Sequence, residues 1–189
     1  NYNKNIIKNF TIENNILLFG KIYKTRLCEK NTKISFNEVS FFLPSYEFSE
    51  IKSELKKTYK KQLSPILEEM VEKYYKKLSQ STTLIGISKP AFKINSAQTR
   101  WGSCSCKKDV VSGVVFSTKF SLNFSFMLAM LDFEEIEAIV AHEICHILIP
   151  NHSKDFYDIL LKIFPEYNEI EKKLSIDQKQ PHLQIWKEN

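Results

Sequence analysis

The chain has 189 residues, 43% hydrophobic and 26% charged, enough for one well-cored domain with a small appendage. No apolar run approaches the roughly 20 residues of a membrane span, and residues 1–5 lack the basic start and apolar core of a signal peptide. The net charge of +5 is spread thinly, so it permits a nucleic-acid partner without arguing for one; four irregularly spaced cysteines (Cys28, Cys104, Cys106, Cys145) exclude a disulfide framework and suggest reduced thiols in a cytoplasm.

Residues 6–43 alternate in short runs. Ile16 to Phe19, the turn Gly20-Lys21, and Ile22 to Leu27 read as strand, turn, strand. Lys33 to Val39 alternates polar and apolar, and Phe41 to Leu43 leads into Pro44. The expectation is a small antiparallel sheet, an N-terminal β-rich subdomain over residues 1–48, with Phe10, Phe19, Phe36, Phe41 and Phe42 in its core.

From Ser49 the period becomes helical. Ile51, Leu55, Tyr59, Leu63, Leu67, Met70, Val71, Tyr74 and Leu78 fall on one stripe, with Ser49 a candidate N-cap and Glu50 in the first turn. Ser64-Pro65 either kinks one helix or starts a second. Lys56, Lys57, Lys60 and Lys61 lie on the polar side, a solvated face or a phosphate-binding stripe. Ile85 to Ile87 reads as loop and Ala91 to Ile94 as strand. Arg100 to Cys106, Lys107 to Asp109 and the run Val110 to Thr118 read as a hairpin, and Leu122 to Leu131 is ambiguous between strand and helix.

Asp132-Phe133-Glu134-Glu135 has the form of a capping box. Ile136, Ile139, Val140, Glu143, Ile144, Ile147 and Leu148 follow as one helical stripe, and Pro150 stops it. This helix carries the signal that organises the chain: His142-Glu143-Ile144-Cys145-His146, then five residues, then His152. Histidines at i and i+4 share a helix face and can reach one metal ion. Glu143 stands beside them, placed to take a proton from bound water. A turn at Pro150-Asn151 can bring His152 back as a third ligand, leaving one position open as a catalytic zinc requires. A chance cluster is the alternative, but three of the four histidines fall in this stretch. Helices are expected from Ser153 to Ile163 and from Pro165 to about Leu174. The polar tail 176–189 is expected to be loosely held, with Ile185 and Trp186 as possible docking points.

The spacing is also that of metzincins. Ile149 stands where that group has Gly, and no Met follows Met130 to make its Met turn. A closer likeness joins two motifs. Thr99-Arg100-Trp101-Gly102-Ser103-Cys104-Ser105, the His142 to His146 helix, and Asn151-His152-Ser153 with Phe156-Tyr157 resemble the YgjP-like metallopeptidase-domain family over about residues 15–175. SprT-like proteases, which act on DNA-bound proteins, are more distant kin. The chain departs from the family in a longer 107–121 hairpin and in Tyr157, where Trp is usual.

The resemblance implies an α+β zincin-like core over residues 49–175, an antiparallel-rich sheet packed on helices. It implies a zinc metallopeptidase with His142, His146 and His152 as ligands of one Zn²⁺ and Glu143 as base to the zinc-bound water. Arg100, Trp101, Gly102 and Tyr157 are candidate substrate-binding residues. Arg100, Tyr157 and His182 are candidates for holding the oxyanion. Substrate is expected to be peptide or protein, added to the edge of Arg100–Cys106, with Trp101 and Val110–Thr118 walling the cleft. The other readings are a nucleic-acid-associated protease, if the Lys56–Lys61 face runs into the cleft, and a non-catalytic zinc module, against which Glu143 counts.

Overall fold

The computed structural model describes residues 15–29, 32–82, 87–112, 114–177 and 181–186. The expectations for Phe10 and for Ile85-Gly86 lie outside these residues, as does the side chain of His182. The architecture is α+β, with two mixed sheets and four helices of ten or more residues among the described ones.

The first sheet has the order β1-β2-β4-β3, from β1 (Asn15–Leu18), β2 (Lys21–Leu27), β3 (Ser35–Phe36) and β4 (Ser40–Leu43). Phe19 and Gly20 both have positive φ, 49° and 72°, as a two-residue type I′ hairpin requires. The sheet is not purely antiparallel as expected, because β2 and β4 run parallel. The predicted strand over Lys33–Val39 is cut to two residues. The Asn37 side chain accepts the N–H groups of Val39 and Ser40 and turns the chain there. That extra reversal lays β4 along β2, with Phe41 and Leu43 fully buried.

Helix α1 (Phe48–Ser81) runs unbroken for 34 residues, about 51 Å. All nine stripe residues from Ile51 to Leu78 are buried. Ser49 lies inside the helix; Glu47 holds the N-cap position, without a side-chain bond. Pro65 does not divide the helix. It is exposed, so the Lys61 carbonyl it leaves without an i+4 donor is on the watered side, while the apolar stripe keeps one register on either side of it.

The second sheet has the order β5-β7-β6, from β5 (Ala91–Asn95), β6 (Gly102–Val111) and β7 (Val114–Ser125). It is mixed too: β5 is parallel to β7 and β6 antiparallel. Leu122 and Phe124 of β7 are fully buried, which fits a strand paired on both sides. The ambiguous stretch resolves into both alternatives, strand to Ser125 and then a 3₁₀ turn over Phe126–Met130.

Helix α2 (Phe133–Cys145) starts at the expected capping box, with Asp132 accepting from Glu135 N–H and Glu135 reaching back to Asp132 N–H. Lys173 also pairs with Asp132. Helices α3 (Lys154–Ile163) and α4 (Tyr167–Asp177) follow, with Pro165 in the turn between them, and then the short α5 (Pro181–Gln184). Ser153 takes the N-cap position of α3 without a side-chain bond. Among the described residues of the tail, the expected docking point Trp186 is seated in the core. Leu183 and Trp186 are buried, and the indole packs edge-on to Phe48, Tyr59 and Phe126. An indole offers more apolar surface than any other side chain, and this one outweighs the polar residues around it. No described helix is long and apolar enough to cross a membrane.

Candidate metal centre

Helix α2 is apolar on almost every side, so it is held from all directions and its last turn is fixed in place. His142 and His146 leave that turn one helical repeat apart, with their Nε2 atoms 3.2 Å from each other. The α-helix ends at Cys145, earlier than the apolar stripe suggested. The chain then tightens, with Ile147 N–H bonding Ile144 and Leu148 N–H bonding Cys145. This turn presents the Ile149 carbonyl to His146 Nδ1 at 3.0 Å. Past Pro150 the chain doubles back, and His152 Nε2 comes within 2.9 Å of His142 Nε2. Phe156, fully buried on α3, lies 4.7–4.9 Å from the ring centroids of all three histidines. His142 and His146 are half-buried and His152 is exposed.

The ring nitrogens show what the cluster suits. His146 Nδ1 faces a carbonyl, which can only accept, so Nδ1 carries the proton and Nε2 is a bare lone pair. His142 Nδ1 lies 2.8 Å from the Tyr167 hydroxyl, which itself donates to Glu171 at 3.3 Å. The phenol oxygen therefore accepts from Nδ1, and His142 Nε2 is bare as well. Two lone pairs facing each other at 3.2 Å repel unless a cation lies between them. Tetrahedral bonds of 2.0–2.1 Å to one zinc set nitrogens about 3.3 Å apart, close to the 3.2 and 2.9 Å that separate His142 Nε2 from its two neighbours, and all three donor atoms lie within 4.8 Å of one another. Burial and the neighbouring rings His146 and His152 lower the His142 pKa to about 4, keeping it neutral as a ligand must be. Burial also lowers His146.

Glu143 is buried, and burial raises its pKa to about 7, against the pull of Arg100 and of the Cys104 N–H. A carboxyl poised near neutrality can both take and give a proton. Because the Cys104 N–H points to Glu143, it points away from β7. By strand alternation the backbone groups of Gly102 and Cys106 share that direction. Among the described strands β6 is thus an edge strand, and its outer edge faces the motif helix, on the side of His142 and His146.

Two cavities meet at Gly102, His142 and Glu143. One, about 500 Å³, is walled by Cys104, Cys106, Phe120, Pro150 and His152. The other, about 440 Å³, is walled by Arg100, Trp101, Ile139, Tyr167 and Glu171 among others. Arg100, Trp101 and Gly102 thus come together beside Glu143. Tyr157 packs beside His152 and Phe156, with ring centroids 6.4 and 5.4 Å away. Among the described residues, the hairpin lines the cleft at Gly102, Ser103, Cys104, Cys106 and Phe120. The expectation that Val110–Thr118 walls the cleft rests mostly on side chains outside the described ones. Gly102 also leaves room for the Glu143 side chain, which a Cβ there would meet. Lys60 and Lys61 line a separate groove beside β5, at the opposite edge of the sheet.

Tyr167 and Glu171 have no signature in the sequence. Their spacing of four marks a shared helix face, but only the packing of α4 on α2 shows that this face meets His142. All four cysteines are free; burial raises the Cys104 and Cys145 thiols to about 12.

The family model described as YgjP-like, metallopeptidase domain, matches residues 1–176. No curated protein and no solved structure matches the chain. With the match spanning both sheets, the histidine cluster and nearly all of α4, the chain belongs to the YgjP-like metallopeptidase-domain family.

Proposed function

We propose that this chain is a zinc-dependent peptidase with a zincin-type site, in which His142, His146 and His152 hold the ion and Glu143 is the general base. The observation that carries the reading is the convergence of three imidazole Nε2 atoms beside a buried carboxylate whose pKa is near 7. Three neutral imidazoles suit Zn²⁺ better than Mg²⁺ or Ca²⁺. When bound, such an ion acidifies water and polarises a carbonyl oxygen.

The chain's own groups supply the rest. Glu143 takes a proton from the attacking water and delivers it to the leaving amine. The Cys104 N–H holds the carboxylate in place, so little reorganisation is needed when the proton moves. Apart from the Cys104 N–H, which Glu143 occupies, the outer edge of β6 is placed to pair with an extended peptide, which gives affinity without demanding sequence. Arg100, at the rim of the second cavity, is the candidate for steadying the oxyanion. Among the described residues the lysine groove and the cleft share no lining residue, which favours a peptidase over a nucleic-acid-associated protease.

The test is Glu143→Gln, nearly isosteric and unable to accept the proton. It should keep the zinc and the fold and lose cleavage of a peptide library. Wild-type cleavage by that variant removes Glu143 as the base.

A further inference from the structure

We propose that Tyr167 is the positioning residue of the metal centre: with Glu171 as its acceptor, its hydroxyl oxygen accepts a hydrogen bond from His142 Nδ1–H, holds the proton on Nδ1 and so keeps the Nε2 lone pair free for the cation. This rests on the reading of the three histidines as a cation site.

A phenol has one hydrogen. A carboxylate without a proton can only accept, so the Tyr167 hydroxyl hydrogen goes to Glu171 and an oxygen lone pair is left for His142. The order of donors then runs one way, from His142 Nδ1–H to Tyr167 to Glu171. The ring packs face to face with His142, centroids 5.8 Å apart and planes 28° apart, which fixes rotation as well as tautomer. Tyr167 is 5% exposed, so water does not readily replace a lost hydroxyl. The partner of His146 is a backbone carbonyl and beyond the reach of substitution. In His142 the tautomer depends on side chains. Without the acceptor on Tyr167, the proton can sit on Nε2, which faces the other two imidazoles and is then no ligand.

The experiment measures three quantities on wild type, Tyr167→Phe, Glu171→Leu and Glu171→Gln. These are Zn²⁺ affinity by competition with a chelator, the His142 tautomer by ¹⁵N NMR of the metal-free protein, and the metal-free melting temperature. Tyr167→Phe should bind zinc about 10–100-fold more weakly, the usual cost of losing such a partner. Its His142 should shift toward the Nε2–H form with little change in metal-free melting. Glu171→Leu should match it, because the orphaned hydroxyl turns and donates to Nδ1. Glu171→Gln keeps an acceptor oxygen and should restore the wild-type tautomer and most of the affinity. Wild-type affinity in Tyr167→Phe overturns the proposal, as does weaker binding with an unchanged tautomer and a lowered melting temperature. A wild-type protein without zinc affinity overturns the metal reading itself.

Discussion

A methyl group at Gly102 tests whether the edge strand positions Glu143, the proposed base. A Cβ there would lie 2.7 Å from both Cγ and Oε1 of Glu143 and 2.9 Å from Cδ. Carbon atoms settle at about 3.5–4.0 Å, so in Gly102→Ala the carboxylate arm must retreat by about 1 Å. Retreat also stretches its bond to the Cys104 N–H. Overpacking of this kind costs about 1–3 kcal/mol of stability. A misplacement of about 1 Å in a reacting group costs about 100-fold in rate, or about 2.7 kcal/mol in the barrier. The expected result is therefore a hundredfold fall in kcat/KM on a quenched fluorescent peptide, with one zinc per chain retained and a modest drop in melting temperature. In a Glu143→Gln background the same change should cost almost nothing, since the group it displaces no longer acts. Wild-type kcat/KM in Gly102→Ala with full zinc would show that the strand does not position Glu143.

Three further outcomes follow from the geometry. His146→Ala and His152→Ala should each lose most of the zinc found by elemental analysis of protein purified without added metal; full occupancy in His152→Ala removes it from the ligand set. Trp186→Ala should destabilise the protein by about 3–5 kcal/mol in urea, since the indole is 1% exposed and packs on Phe48, Tyr59 and Phe126; a loss below about 1 kcal/mol would mean the tail is not docked. Asp132→Ala should cost about 1–2 kcal/mol by the same measurement, because it removes the N-cap bond to Glu135 and the partner of Lys173; an unchanged midpoint would show that α2 is held by packing alone.

The parts legible in sequence were those set by local physics. The buried stripe of α1 was named residue by residue, because a 3.6 period with nine apolar positions admits one inward face. The capping box marked the start of α2, since both of its bonds are made within four residues. The convergence of His142 and His146 follows from helix geometry, and the turn at Pro150-Asn151 points to the return of His152, which the family likeness also implies. What escaped depends on partners distant in the chain. The parallel pairing of β2 with β4 turns on Asn37, whose short side-chain bonds resemble those of any loop. Trp186 is legible as a docking point but its seat is not, because the hollow is built by Phe48, Tyr59 and Phe126, some 60 to 140 positions earlier. The Tyr167–Glu171 pair gains its role from where α4 comes to rest.

The free edge of β6 has a consequence for how copies of the chain meet one another. An open strand edge invites a second edge as readily as it invites a peptide. Over Gly102–Cys106 the invitation is restrained by Glu143, which already occupies the Cys104 N–H. Beyond Cys106 no such cover is needed, because Lys107 and Lys108 are exposed and Asp109 follows, and two such edges brought together would set lysine against lysine. Replacing Lys107 and Lys108 with threonine removes that repulsion while raising strand propensity. The strand would then zip to its copies, and the molecule would self-associate at the edge that opens onto its own cleft.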